Sequence, residues 1–77
     1  MNTIESYPSR PSRAIRLDRV CDLTGASRAT VWRWVATDVR FPRPFHLSPA
    51  ITCWDEAEVL AWIASKKALR GARHDHV

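Results

Sequence analysis

The sequence predicts a mainly helical fold with one small β-hairpin, a winged helix-turn-helix. Three stretches carry that prediction. Residues 24–35, TGASRATVWRWV, read as the turn and second helix of a helix pair. Residues 41–54 switch to a proline-interrupted, alternating pattern. Residues 55–69 return to a helical period that opens on acids and closes on bases. With 77 residues the chain makes one domain near the lower size limit for folding alone. It can build one small core, with no room for a deep substrate cleft.

The elements follow in order. Residues 1–13 contain Pro8, Pro11 and several serines without hydrophobic periodicity, and read as a flexible arm. The domain proper is expected over residues 14–70. Ile15 and Leu17, alternating with Arg16, suit a short extended segment that pins the arm to the core. Asp18 is placed to cap a first helix beginning near Arg19, with Val20, Cys21 and Leu23 facing inward and Asp22 outward. Thr24-Gly25 stops that helix, because glycine supplies the left-handed conformation a tight turn needs. Ala26 is small enough for close helix packing. Ser27 caps a second helix from about Arg28 to Thr37, whose inward stripe is Val31, Trp34 and Val35.

Phe41-Pro42-Arg43-Pro44 cannot be helical, since each proline lacks an amide donor and drives its predecessor toward extended geometry. Phe45-His46-Leu47 and Ile51-Thr52-Cys53-Trp54 read as two strands joined at Ser48-Pro49-Ala50. An isolated hairpin is marginal in water, so this wing must lean on the helices, with Phe45, Leu47, Ile51 and Trp54 as the expected contacts. Asp55-x-x-Glu58 approximates a capping box for a third helix, roughly Glu56 to Leu69. Val59, Leu60, Trp62, Ile63 and Leu69 share its apolar face, and Lys66 interrupts it. Gly71 is the expected stop, leaving residues 71–77 as a frayed tail.

Charge placement points to a partner. The net charge is +4, of which residues 28–43 hold +3 (Arg28, Arg33, Arg40 and Arg43 against Asp38) and residues 1–13 hold +1. A local basic stripe of that kind attracts phosphate. The outward stripe of the second helix carries Arg28, Ala29, Thr30, Trp32 and Arg33, short or basic side chains that suit a DNA major groove. Double-stranded DNA is therefore the expected partner. Its expected contacts are Ser27, Arg28, Ala29, Thr30, Trp32, Arg33, Arg40, Arg43 and His46.

Within that set the roles differ. Arg28 and Arg33 are five apart, about 140° around the helix, so they flank the recognition face without coinciding. Arg28, in the first turn, is best placed for a base edge, where a guanidinium makes two hydrogen bonds to guanine. Arg33 is placed for phosphate. Thr30 suits a thymine methyl, a phosphate or simply the helix cap. Trp32, too large to leave wet on an outward stripe, must pack on the wing, touch DNA, meet another subunit or turn into the core. Arg43, held between two prolines, is rigidly presented beside the wing, and His46 reads as a surface strand residue.

Residues 16–64 resemble the AlpA-type prophage regulatory proteins, small DNA-binding proteins related to phage excisionases with a MerR-like winged helix-turn-helix. The resemblance rests on Leu17-x-x-Val20, Leu23-Thr24-Gly25, Ser27-Arg28-x-Thr30-x-x-Arg33, Phe41-Pro42-x-Pro44 and Trp54-x-x-x-x-Val59-x-x-Trp62-Ile63, in that order and spacing. It implies sequence-specific DNA binding near prophage genes, either regulating transcription (often of an integrase gene) or directing excision. Trp32 stands where the family more often has Tyr, so an indole N–H replaces a phenolic hydroxyl. The wing, His46-Leu47-Ser48-Pro49-Ala50, is less basic than in many relatives.

Other readings are bounded by the same residues. A protein-interaction accessory module, using Trp32 and the wing to bind integrase or RNA polymerase, is the alternative. An enzyme is not expected: no histidine pairs with a plausible nucleophile and carboxylate, and no glycine-rich phosphate loop is present. No cofactor is implied. Cys21 and Cys53 lack the paired short spacing of a zinc site even with His74 and His76, so no metal is implied and both read as small, free core thiols. No apolar run reaches signal-peptide or membrane-span length, which predicts a cytoplasmic protein. No heptad run follows the third helix, which predicts a monomer that assembles on repeated DNA sites.

Overall fold

A computed structural model describes residues 12–73, with side chains as far as Arg70. Its elements are β1 (Ala14–Ile15), α1 (Leu17–Thr24), α2 (Arg28–Thr37), β2 (Phe45–Ser48), β3 (Ile51–Asp55) and α3 (Glu56–Arg73). The three strands form one antiparallel sheet in the order β1-β3-β2. Helix pair, hairpin and third helix together make a winged helix-turn-helix. The wing gains a strand the sequence only hinted at: Ile15 pairs with Trp54 and Ala14 with Asp55. The arm expected over residues 1–13 lies outside the described residues as far as Pro11, as does the tail from His74 onward.

The turn between α1 and α2 is built from local chemistry. Gly25 adopts φ 75° and its N–H donates to the Cys21 carbonyl at 2.7 Å, closing α1 in the left-handed conformation. The Thr24 hydroxyl donates to the Val20 carbonyl at 2.8 Å and accepts from the Ala26 N–H at 3.2 Å. That side chain ties the end of one helix to the entry of the next. Ser27 then caps α2, its Oγ accepting from the Thr30 N–H at 3.2 Å. At the other end Asp38 closes α2 by donating its N–H to the Trp34 carbonyl at 2.8 Å.

The core is small and aromatic. Ile15, Val20, Val31, Phe41, Trp54 and Val59 are buried together, with Trp34, Val35, Trp62 and Ile63 packed against them. Fully burying side chains of this size contributes about 1.5–3 kcal/mol each. Trp34, Phe41 and Trp62 form a three-ring cluster with centroids 4.8–5.5 Å apart, tilted or edge-on as ring quadrupoles prefer. This cluster locks the end of α2 and the loop after it onto α3. Lys66 lies 5.3 Å over the Trp62 ring and 3.8 Å from Asp38.

Several expectations need correcting. Asp18 does not cap α1, whose N-cap is Arg16 without a side-chain hydrogen bond; Asp18 sits inside the first turn. Leu17 belongs to α1 rather than to the extended segment. Phe45 and Leu47 do not seat the wing, being 39% and 62% exposed. The reason is geometric: β2 is an edge strand whose register slips between His46 and Ser48, so Leu47 has no cross-strand partner and faces water. Trp54, on the central strand, supplies the anchor. Leu60 and Leu69 are likewise exposed, so the apolar face of α3 narrows to Val59, Trp62 and Ile63.

Both ends of the domain also differ. Asp55 accepts from the Ala57 N–H at 2.9 Å, but the second half of the cap comes from Ser12, not Glu58. The Ser12 hydroxyl accepts from the same N–H at 3.1 Å and donates to Asp55 Oδ1, while the Arg13 carbonyl accepts from the Glu56 N–H at 2.9 Å. Ser12 and Arg13, expected to end the arm, are thus bonded to the start of α3. At the far end α3 continues through Gly71 to Arg73, where a stop was expected. Cys53 is buried and Cys21 half-buried, both as free thiols.

Candidate nucleic-acid interface

The start of α2 faces a concavity shared with the wing. Arg28 and Trp32 line it from α2, Arg16, Leu17 and Asp18 from the start of α1, and Ala50, Thr52 and Trp54 from the hairpin. The sequence produces this meeting in two steps. The Gly25 turn brings the first turn of α2 back beside the first turn of α1. The antiparallel return of β3 then places the hairpin tip alongside both. His46 pairs directly with Thr52, and cross-strand partners share a sheet face, so His46 stands beside this concavity.

Trp32 settles into the first of the positions open to it. Its ring packs on Trp54 at 5.3 Å with an interplanar angle of 57°, yet 44% of the residue remains exposed. One face of the indole therefore rests on the wing and the rest looks outward. Thr30 is half-buried and joined to the cap, its hydroxyl accepting from Ser27 Oγ at 3.0 Å. Ala29 and Arg33 are exposed on the outer side of α2.

Arg28 is not free. Its Nη2 donates to Asp18 Oδ1, forming an ion pair across the two helices of the helix-turn-helix. Both side chains stay exposed, at 64% and 78%, so water and a ligand can reach them. Arg33 and Arg40, by contrast, have no acidic partner among the described residues.

The four arginines expected to form one basic stripe are divided. Arg40 and Arg43 line a second concavity, with Phe41 and Trp62 inside, Asp55 at the end of β3 and Glu58 on α3. Arg43 is anchored there: its Nη1 donates to the Val35 carbonyl at 2.8 Å, satisfying an acceptor in the last turn of α2. Asp38 holds the intervening turn. Its carboxyl lies below the ordinary carboxylate range, chiefly because the Arg40 N–H donates to it at 2.9 Å. Desolvation opposes that shift, and the Lys66 ammonium supports it. The Trp62 indole N–H leans toward the carboxylate as well, without closing a hydrogen bond.

Sequence reasoning missed Arg16, Asp18, Ala50 and Thr52 as members of the first concavity. A signal for Asp18 was present: an acid ten residues before Arg28, across a glycine turn, is within reach once the helices fold back. Arg16 stood just before the first helix, where its side chain could project to either side. Among the described residues no helix is long and apolar enough to cross a membrane.

A protein-family model described as "Prophage CP4-57 regulatory protein (AlpA)" matches residues 13–67, from just before β1 to beyond the middle of α3. No curated protein and no solved structure matches the chain.

Proposed function

Because the chain belongs to the AlpA family of prophage regulatory proteins, we propose that it is a sequence-specific transcriptional regulator that reads duplex DNA with the start of α2. The observation that supports this best is the shared concavity, in which Arg28 and Trp32 meet the hairpin tip at Ala50 and Thr52. A helix seated in the major groove carries its first-turn residues to base edges while a flanking hairpin reaches the adjacent backbone. Arg28 takes the base edge, donating to guanine O6 and N7. Ala29 and Thr30 are small enough to let α2 approach closely. Ser27 fixes the N-terminal turn whose open amides favour anions.

Sequence-neutral contacts surround that centre. Arg33 and Arg40 neutralise phosphates, and Arg43 adds charge while bracing the end of α2. The exposed part of Trp32 offers its indole N–H to a phosphate, and His46 lies against the backbone beside the wing. Regulation of an integrase gene or direction of excision are the two outputs such binding serves. An accessory module that engages integrase or RNA polymerase is the competing reading, and the exposed face of Trp32 is the surface it would use.

The test is binding by purified protein, with no partner present, to a mixed-sequence duplex and to a duplex enriched by selection from a random library. Arg28→Ala should lose about 1–3 kcal/mol on the enriched duplex and less on the mixed one. Arg33→Ala should weaken both alike, because phosphate carries no sequence information. Equal losses on both duplexes for Arg28→Ala would reject its base-reading role. Binding that needs an added protein would favour the accessory module.

A further inference from the structure

We infer that Asp18 is a specificity-determining positioning residue: by holding Arg28 it withholds that guanidinium from phosphates of arbitrary DNA and presents it to a base edge. The inference rests on the DNA-regulator reading and extends it to a residue on the other helix of the pair.

Asp18 and Arg28 join α1 to α2 at their exposed first turns, where solvent screens the attraction and such pairs add little stability. The two helices are already held by the Val20 and Val31 side chains, both fully buried. Asp18 does not cap α1 either, since Arg16 occupies that position. Yet an acid here is costly for a protein that approaches a polyanion, because it lines the same concavity as Arg28 and Trp32.

Geometry gives the acid a use. Only the Nη2 group of Arg28 is engaged by Asp18, so the guanidinium keeps donors on its other edge. Guanine accepts through O6 and N7, both uncharged, and can take those donors while Asp18 stays bonded as a buttress. A phosphate oxygen is different. To pair with Arg28 it must come close to the Asp18 carboxylate, and the like charges repel. Asp18 therefore taxes the phosphate-bound state of Arg28 more than the base-bound state. Specificity is a difference of affinities, and a repulsive element aimed at the wrong state creates one.

The test compares wild type, Asp18→Asn, Asp18→Glu and Arg28→Ala on the mixed-sequence duplex and the library-enriched duplex, across a salt series and alongside thermal melting. Asp18→Asn should bind the mixed duplex more tightly, with a log–log salt slope steeper by about 0.9 as Arg28 gains a phosphate. Its discrimination between the duplexes should fall about fivefold, the low end of what a bidentate base contact supplies. Asp18→Glu should restore much of the ratio. In an Arg28→Ala background, Asp18→Asn should leave the ratio unchanged.

Two results would overturn the inference alone, given a wild-type protein that discriminates. One is Asp18→Asn tightening both duplexes equally, in either background, which would make Asp18 a mere repulsive charge. The other is a lowered melting temperature with an unchanged ratio, which would reduce Asp18 to a partner of the α1 dipole. A wild-type protein with no salt-dependent affinity for either duplex would instead sink the regulator reading, and this inference with it.

Discussion

Trp32 and Trp34 stand two residues apart on α2, about 200° around the helix, and their surroundings diverge accordingly. Trp34 lies within 4.8 Å of Trp62 and 5.5 Å of Phe41, inside the cluster that binds α2 to α3. Trp32 meets one aromatic partner, Trp54, and keeps 44% of its surface in water. The same residue type thus serves packing on one side of the helix and lines an open surface on the other. Neighbouring groups follow that division. On the packed side Arg43 bonds the Val35 carbonyl and Lys66 covers Trp62. On the open side Arg28 and Asp18 stay exposed to solvent and ligand. The lesson is that aromatic content alone does not locate an open surface; Trp54 has the same single ring partner as Trp32 and is fully buried, so the exposure of each ring decides.

The largest effect expected of this comparison is on the packed side. Trp62→Ala removes the ring shared by Trp34, Phe41 and Lys66 and should cost about 3–5 kcal/mol in thermal or denaturant melting. Native proteins hold about 5–15 kcal/mol and a domain this small sits at the low end, so the variant should keep little stability and a much lowered melting temperature. A loss below about 1 kcal/mol would mean the cluster is not the keystone that its geometry suggests.

Trp32→Ala should be milder for folding, losing about 0.5–1.5 kcal/mol for one aromatic pair plus the burial of the covered part of a single ring. Its effect on DNA affinity should exceed its effect on stability, measured on the folded variant. If it destabilises the domain as severely as Trp62→Ala, the two sides are not distinct.

The smallest effect concerns Asp38. Its carboxyl is held below the ordinary value of 3.8, so the ionised form is the one the fold favours. That contribution is fully present above the unfolded-state value and is lost as pH falls through the lower folded-state value. The melting-temperature gap between wild type and Asp38→Asn should accordingly be constant near neutrality and narrow below pH 3.8. A gap that widens on acidification would contradict the assigned hydrogen bond from the Arg40 N–H.

What the sequence disclosed and what it hid follow one physical divide. Ser27 and Gly25 act within a few residues of themselves, and their cap and turn were readable from composition and spacing. The helical spacing of Val31, Trp34 and Val35 likewise marked the inner side of α2. Polar partnerships between elements were hidden. Ser12 reaches Ala57 across 45 positions, Arg43 finds a backbone carbonyl, and Arg28 finds Asp18 on another helix. Hydrophobic period reveals which side of an element is buried, but not which donor meets which acceptor once elements pack. Leu47 failed for a related reason. Alternation predicted an inward residue, and the register slip after His46, invisible in a strand of four residues, turned it out. Of the candidate site, the start of α2 was legible, while the acid that accompanies it showed only as a spacing across the glycine turn.

The open side of α2 is proposed to bind duplex DNA through its phosphates and bases. The most direct measurement is a salt titration of purified protein on a labelled mixed-sequence duplex, followed by anisotropy. With about four to six phosphates neutralised, affinity should fall with a log–log slope of about −4 to −5. An affinity that stays flat between low and moderate salt, or no binding at either, would contradict it.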